Sequence, residues 1–250
     1  MGHDAKPYEL FYWPFLPGRG EIIRLVLEEA GFEYRDVARL PESEGGGVAA
    51  VRAYYEGHAE GHPVFAPPIL KHDGFVLSQL PAIVTLLGAR SGLEPKGELG
   101  RVRALELCLM ACDVFQEAHQ THHPLSVSLT YEEQQDAALV AAKSFREKRL
   151  PRLLDHFERV LGVEPGAMLM GDAITHADLA LFQVMSGLEY AFPKTFATLA
   201  PKRPRILAHS EEVAARPRIR AYLNSPRRVP FSQHGIFRHY PELDLSDSDG

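Results

Sequence analysis

The sequence predicts an α/β domain followed by an all-α domain. From residue 8 to about residue 90, short apolar runs alternate with stretches of helical period, which is typical of a sheet with crossover helices. Beyond residues 91–97, where Gly and Pro recur, strand-like runs disappear and helical periods continue to about residue 224. We therefore expect a boundary within residues 91–97, with domains over residues 1–90 and 91–250.

Composition excludes several classes of protein. Of the 250 residues, 45% are apolar and 24% are charged, which is ordinary for a globular chain with room for two domains. No apolar stretch approaches the roughly 20 residues that span a bilayer, so we expect no membrane segment. A net charge of −6 without a long Lys/Arg cluster argues against a nucleic-acid partner.

The N-terminus and the cysteines indicate a compartment. The first ten residues hold one lysine and no apolar run of signal-peptide length, so we expect a cytoplasmic protein. The two cysteines, Cys108 and Cys112, lie four residues apart in a helical pattern and give neither a disulfide framework nor a metal-binding pair. We expect them to be small core residues.

The first domain begins with a strand, a bend and a helix. The run "YELFYW" at 8–13 is the first predicted strand, and a bend follows over 14–20. The apolar period after the bend predicts a helix that ends at Gly31. A second strand is predicted at 33–37.

The rest of the first domain contains a segment without a clear pattern and a hairpin. The glycines of residues 40–64 favour mobility over packing. Asp73-Gly74 lies between two short apolar runs, which is a strong hairpin signal. A helix from Pro81 to about Arg90 follows.

The second domain contains only predicted helices. Its first helix should bury one face, whose members are spaced by 3, 4 and 3 residues: Val102, Leu105, Leu109 and Cys112. Pro151 lies inside a helical pattern over 131–161, so we expect a kink or break there.

A helix start and the C-terminal tail complete the pattern. Thr175 and Asp178 form a variant capping box, and Ile174 is placed to pack on Leu179 as a staple. The segment from residue 226 is rich in aromatic residues and proline, so we expect it to pack across the surface, with the last five residues fraying.

Four segments together carry a family resemblance. "YELFYWPFLPGRGEIIR" at 8–24, "FAPPIL" at 65–70, "LSQLPAI" at 77–83 and "GDAITHADLAL" at 171–181 resemble the corresponding segments of the cytosolic glutathione transferases. The resemblance covers about residues 7 to 225 and is closest to the tyrosine-type classes sigma, pi, mu and alpha. It implies an N-terminal thioredoxin-like domain, an all-helical C-terminal domain and a homodimer.

The resemblance also implies a reaction. In that family the hydroxyl of a tyrosine after the first strand donates a hydrogen bond to the sulfur of glutathione and holds it as the nucleophilic thiolate. Tyr12 matches this residue. The implied activity is addition of glutathione, as co-substrate, to a small hydrophobic electrophile. The segments do not distinguish conjugation from isomerisation or peroxide reduction.

Further residues match the family's glutathione contacts. Arg19 matches the arginine after the tyrosine, Pro68 the cis-proline, and Gln79 the glutamine that lies 11 residues beyond it. Asp113 matches an aspartate that reaches the glutathione of the neighbouring subunit. Two positions in this set depart from the family: Leu80 replaces a Ser or Thr, and Pro67 has no N–H to offer the cysteinyl backbone.

The electrophile pocket and the histidines leave alternatives open. By resemblance, His119 and His123 line the electrophile pocket, and Trp13, Phe15 and Phe237 supply its apolar walls. His119, His122 and His123 also suggest a metal site, which we favour less because no carboxylate or cysteine completes the set. A second function class is a non-catalytic module that keeps the fold but not the activity.

Overall fold

The computed structural model describes residues 6–245. The strands are β1 Tyr8–Phe11, β2 Tyr34–Asp36, β3 Ile69–His72 and β4 Phe75–Ser78. The α-helices are α1 Gly18–Ala30, α2 Gly47–Tyr55, α3 Leu80–Ser91, α4 Glu98–Gln120, α5 Gln135–Ser144, α6 Leu150–Val160, α7 His176–Ala191, α8 Pro193–Leu199, α9 Pro204–Ala215 and α10 Pro217–Leu223.

The four strands form one mixed sheet in the order β2-β1-β3-β4. β1 pairs in parallel with β2 through the α1 crossover, and antiparallel with β3, where Leu10 faces Leu70. β3 and β4 form the predicted hairpin, and Asp73 and Gly74 both have positive φ, as a two-residue hairpin turn requires. This βαβ and ββα order is the thioredoxin-like arrangement predicted for the first part of the chain.

The chain divides into two compact units. The first unit comprises Met1–Glu94 and Arg216–Pro230, and the second comprises Pro95–Ala215 and Phe231–Gly250. The first unit therefore holds the sheet, α1 to α3 and α10, and the second is helical. The assignment of functional domains to residues 1–90 and 91–250 stays a prediction.

Helix α1 ends where the sequence predicts. Gly31 adopts the left-handed conformation with φ 69°, and its N–H bonds to the carbonyl of Glu28. A glycine accepts this conformation without strain from a Cβ. The end of α1 is thus confirmed.

Charged residues are buried beneath α1, which the sequence reasoning did not predict. Arg24 is fully buried, with its Nε 2.7 Å from Asp36 and its Nη1 3.1 Å from Glu21. Glu21 also accepts a hydrogen bond from the hydroxyl of Tyr222 on α10 and lies 2.5 Å from Nη1 of Arg228. These bonds hold residues 216–230 on the first unit.

Two predictions for the first unit were wrong. β1 ends at Phe11, so Tyr12 and Trp13 lie beyond the sheet, because Pro14 lacks the N–H needed to continue the ladder. The segment 40–64 is not only loop, since it contains α2, which buries Val51 and Tyr54 in a cluster with Phe11. The sequence did not predict this nine-residue helix because glycines typical of turns surround it.

The buried face predicted for α4 was also wrong. Val102 and Leu109 are 57% and 47% exposed. The helix instead buries another arc, comprising Ala104, Leu107, Cys108, Ala111, Val114, Phe115 and Ala118. α4 is apolar on two arcs, and the spacing alone did not distinguish them.

The interruption and the helix start predicted in the second unit are confirmed. A π-helical segment, Phe145–Arg149, separates α5 from α6, and Pro151 is the second residue of α6. Thr175 and Asp178 form the capping box, and the Thr175 N–H donates to Asp178 at 2.7 Å. Ile174 and Leu179 are both buried.

The tail packs on the second unit. Phe237 and Leu243 are buried, and Tyr240 stacks on Tyr131 with ring centroids 3.8 Å apart. The last five residues, predicted to fray, lie outside the described residues. Among the described residues, no helix combines the length and apolar character needed to cross a membrane.

Acid should destabilise the protein through His176 at the start of α7. His176 is fully buried, and neither ring nitrogen has a hydrogen-bond partner. Burial lowers the pKa of His176 to about 4 from 6.5. The unfolded chain therefore takes up a proton below pH 6.5 while the folded chain does not, so stability is lost as pH falls toward 4.

We expect His176→Leu to lose less stability than the wild type on acidification. Between pH 7 and pH 4.5 the wild type should lose about 2 to 3 kcal/mol more of its free energy of unfolding than the variant does, at 1.36 kcal/mol per pKa unit. Urea unfolding at both pH values measures these free energies. His58→Gln is the control, because the His58 side chain is 74% exposed. Equal acid sensitivity of wild type and His176→Leu would contradict this assignment.

Candidate active site

Tyr12 lies between the end of β1 and the start of α1. Its side chain is 4% exposed and rests on the first turn of α1. A Cβ at Gly18 would come within 2.2 Å of the Tyr12 hydroxyl, and one at Gly20 within 2.4 Å of a ring carbon. Only glycine at these two positions allows the ring to lie so close to the helix.

The hydroxyl of Tyr12 is an acceptor for the helix. The backbone N–H of Arg19 donates to it at 3.0 Å, and the Gly20 amide also favours charge on this oxygen. Burial has the larger effect and raises the pKa of Tyr12, while these amides and the charges of Arg19 and Arg24 oppose it. The phenol therefore stays protonated near neutral pH and acts as a hydrogen-bond donor, not as a base.

Arg24 lies near the Tyr12 ring, and the sequence reasoning missed it. The guanidinium carbon lies 6.0 Å from the ring centroid, at the edge of cation–π range. Neighbouring carboxylates raise the pKa of Arg24 despite its burial. An arginine within the apolar run of α1, three residues after Glu21, was the signal that could have found it.

The predicted glutathione contacts of the hairpin region are arranged around the start of α3. The Pro67-Pro68 bond is cis, as the resemblance implied. Gln79 precedes α3, is exposed and has φ 74°. Leu80 is 1% exposed, so its side chain serves the core at the position where the family has a hydroxyl. The carbonyl of Pro67 is the one backbone hydrogen-bonding group that this residue can offer.

Asp113 lies on the solvent side of α4. It is exposed, and its charge contributes, after that of Glu117, to raising the pKa of Arg149. This location is compatible with contact to a second chain. Its role in glutathione binding stays a prediction.

The three histidines come together at the end of α4. The ring of His119 stacks on that of His123 at 5.0 Å and meets that of His122 edge to face at 4.9 Å. Burial lowers the pKa of His122 to about 3 and also lowers that of His123. His122 and His123 are therefore uncharged near neutral pH.

The predicted aromatic walls of the electrophile pocket differ in exposure. Phe15 is 52% exposed, whereas Trp13 packs on the cluster around α2 and meets Tyr55 edge to face. Phe237 is 2% exposed and packs on Phe115. A wall role for Phe237 would require its ring to move, and the electrophile assignments of all these residues stay predictions.

The second unit also contains a cavity that the sequence did not indicate. Its volume is about 530 Å³. It lies between α4, α6 and the loop after α6, and Arg103, Glu106 and His156 are its polar residues. None of the predicted site residues lines it.

Comparisons with known proteins agree on one family. Residues 119–226 match the family described as Glutathione S-transferase, C-terminal domain. A glutathione S-transferase of Plasmodium yoelii yoelii is 25% identical over 82% of this chain and 88% of its own length. Glutathione S-transferase P 1 of Xenopus laevis is 27% identical over 88% of this chain and 93% of its own. The chain is therefore similar to glutathione S-transferases over most of its length.

Solved structures give the same fold for this chain. The structure of rat hPGDS complexed with a quinoline aligns with a TM-score of 0.68 at 22% identity, covering 90% of this chain and all of that chain. At this identity the likeness shows the fold alone. The predicted fold, a thioredoxin-like domain followed by a helical domain, is confirmed.

We expect Arg24→Met to destabilise the protein by about 3 to 5 kcal/mol, because it removes the buried cation that lies 2.7 Å from Asp36 and 3.1 Å from the buried Glu21. The measurement is the free energy of unfolding in urea. Arg35→Met is the matched control, since Arg35 is 46% exposed and lies 3.9 Å from Glu9, and such a pair contributes about 1 kcal/mol or less. Losses of equal size in the two variants would refute the role given to Arg24.

Proposed function

We propose that this chain transfers glutathione to small hydrophobic electrophiles, with the Tyr12 hydroxyl stabilising the glutathione thiolate. The relatives' names give glutathione as the co-substrate. One observation supports the role of Tyr12: its oxygen already accepts the Arg19 N–H, so its own proton is available for another acceptor. A thiolate near the start of α1 would also be stabilised by the positive N-terminal end of the helix dipole.

The size of the effect follows from the chemistry of the sulfur. A hydrogen bond to a charged partner contributes about 1.5 to 3 kcal/mol, and 1.36 kcal/mol corresponds to one pKa unit. The thiol pKa would thus fall by roughly one to two units from about 8.5. The thiolate fraction at pH 7 would rise from a few per cent to about half, which suffices when the electrophile is itself reactive.

The remaining contacts hold an extended anionic peptide. In this proposal the α3 amides that follow Gln79 bind the γ-glutamyl carboxylate at the helix N-terminus. The Pro67 carbonyl would accept the cysteinyl N–H, and Arg19 would add positive charge. Because Leu80 offers no hydroxyl, we expect weaker binding by roughly ten- to a hundredfold than a Ser or Thr would give.

The functional protein is proposed to be a homodimer. Leu99, Val102 and Leu109 are 85%, 57% and 47% exposed and share one arc of α4. Asp113 falls on the same arc, where it would reach the glutathione of the partner subunit. Exposed apolar arcs of this kind mark protein interfaces.

The proposal also includes the electrophile pocket and the cellular compartment. His119 and His123, with Trp13, Phe15 and Phe237, remain the predicted pocket residues. A cytoplasmic location remains the expectation from the N-terminal sequence.

We expect Tyr12→Phe to reduce turnover by roughly ten- to a hundredfold and to raise the pH at which activity appears by one to two units. The reason is the loss of the hydrogen bond to the thiolate. Conjugation of a generic aromatic electrophile, followed across pH, gives both values.

Tyr8→Phe is the control for this experiment. Tyr8 is a buried β1 tyrosine whose hydroxyl accepts from Arg90 at 3.2 Å, so its loss affects stability without moving the pH profile. An unchanged profile in Tyr12→Phe would defeat the assignment of Tyr12. A wild-type protein that neither conjugates the electrophile nor binds a glutathione resin would instead support the non-catalytic module.

We expect Val102→Glu combined with Leu109→Glu to convert a dimer of about 56 kDa, twice the chain mass of 27.9 kDa, into a monomer. Two buried carboxylates facing their symmetry mates would oppose association. Light scattering after size exclusion measures the mass. Val140→Glu on α5, which is 72% exposed, is the control that should stay dimeric. A wild-type mass near 28 kDa would contradict the proposed dimer.

A further inference from the structure

The histidine cluster, which consists of His119, His122 and His123, brings three imidazole groups together as candidate ligands of one metal ion. His119 lies in the last turn of α4, and the backbone N–H groups of the other two both bond to its carbonyl, which holds the three side chains together. One side-chain nitrogen from each residue lies within 4.8 Å of the other two. This spacing is a property of the fold that the sequence did not establish.

His122 has a buried lone pair without a hydrogen-bond partner. Its side chain is 1% exposed, and its Nε2 lies 2.8 Å from the carbonyl of Ile236. A carbonyl only accepts, so Nε2 carries the proton and Nδ1 carries the lone pair. Nδ1 is buried and has no hydrogen-bond partner. An imidazole held by a carbonyl on one nitrogen and open on the other is the arrangement found at protein metal sites.

His123 is oriented by Gln134. The Oε1 of Gln134 accepts the N–H groups of Leu125 and Ser126, so its amide nitrogen is the group that lies 2.9 Å from Nδ1 of His123. The carbonyls of Ser126 and Leu129 favour a proton on this ring. An amide nitrogen only donates, so Nδ1 of His123 accepts from Gln134 and Nε2 carries the proton. A metal would bind Nε2 once that proton moves to Nδ1 and the Gln134 amide directs its hydrogens at the backbone carbonyls that it also contacts.

We propose that His119, His122 and His123 together bind a zinc ion. An ion at the centre of three nitrogens no more than 4.8 Å apart would lie within about 2.8 Å of each. Zinc binds imidazole nitrogen at about 2.0–2.1 Å, so each ring need move by roughly 0.7 Å. Imidazole is a preferred ligand of zinc, and three such ligands leave a fourth position open.

Two electrostatic effects act on this site in opposite directions. His122 and His123 are buried, which favours the neutral imidazole that a metal binds. The guanidinium of Arg238 also lowers the pKa of both residues, which shows that its positive charge acts at the cluster. The same charge would weaken the binding of a dication.

Calorimetric titration of zinc chloride into the metal-free full-length chain at pH 7.5 tests the proposal. We expect one zinc ion per chain, and a fall in affinity of at least ten- to a hundredfold in His119→Ala, since even the loss of an outer-sphere partner has an effect of that size. His119 is half-buried, so this variant should fold. His58→Ala is the control, because His58 is an exposed histidine whose loss should leave the affinity unchanged.

Arg238→Gln provides a second, opposite expectation. Removing the cation should strengthen zinc binding, whereas a merely structural effect at the cluster would weaken it or leave it unchanged. Cobalt(II) in place of zinc should give the intense visible absorption of a four-coordinate site, and His122→Gln should abolish it. Absence of stoichiometric zinc binding by the wild type, or equal affinity in His119→Ala, would overturn the proposal. No glutathione is present in these titrations, so their failure leaves the proposed transfer reaction untouched.

Discussion

The hydrogen bond from the Arg19 amide to the Tyr12 hydroxyl is the contact on which the proposed chemistry depends. It fixes the phenol at the positive end of α1 and occupies one lone pair of its oxygen, so that the O–H must be directed at another acceptor. Burial raises the pKa of Tyr12 and keeps that proton in place. A more exposed tyrosine would lose orientation, and one with a strongly lowered pKa would lose the proton that stabilises a thiolate.

Helix α1 combines this task with the attachment of the C-terminal segment. Arg24 lies beneath the Tyr12 ring and binds Glu21 and Asp36, while Glu21 binds Tyr222. A buried ion pair adds little net stability compared with apolar packing, but its geometry is specific, because each charge tolerates few alternative positions. We infer that the cluster sets the position of α1 and so of the glycine turn on which Tyr12 rests.

The sequence predicted correctly those features that a few neighbouring residues determine. Prediction failed for elements whose sequence fits two different structures equally well. Gly31, Asp73-Gly74 and the capping box at Thr175 were found because backbone conformation or a side-chain bond dictates the residue type. α2 was missed because turn-like glycines flank it. The buried face of α4 was wrong because the helix has two apolar arcs, and periodicity does not say which one packs inward. The carbonyl of Ile236 decides which ring nitrogen of His122 keeps its lone pair. Because Ile236 lies 114 residues away, no local sequence pattern indicates this contact.

Leu80 illustrates how the core and the proposed glutathione site compete for one position. Burying a leucine side chain contributes about 1.5 to 3 kcal/mol to stability, and a hydroxyl in its place would contribute a similar amount to binding the γ-glutamyl carboxylate. The Leu80 side chain is 1% exposed, so in this protein it contributes to the hydrophobic core. The α3 amides after Gln79 do not depend on that side chain, so the backbone part of the proposed anion site is retained. Such a transferase would bind glutathione weakly in the ground state, which raises KM but leaves turnover intact as long as the bond from Tyr12 forms to the thiolate.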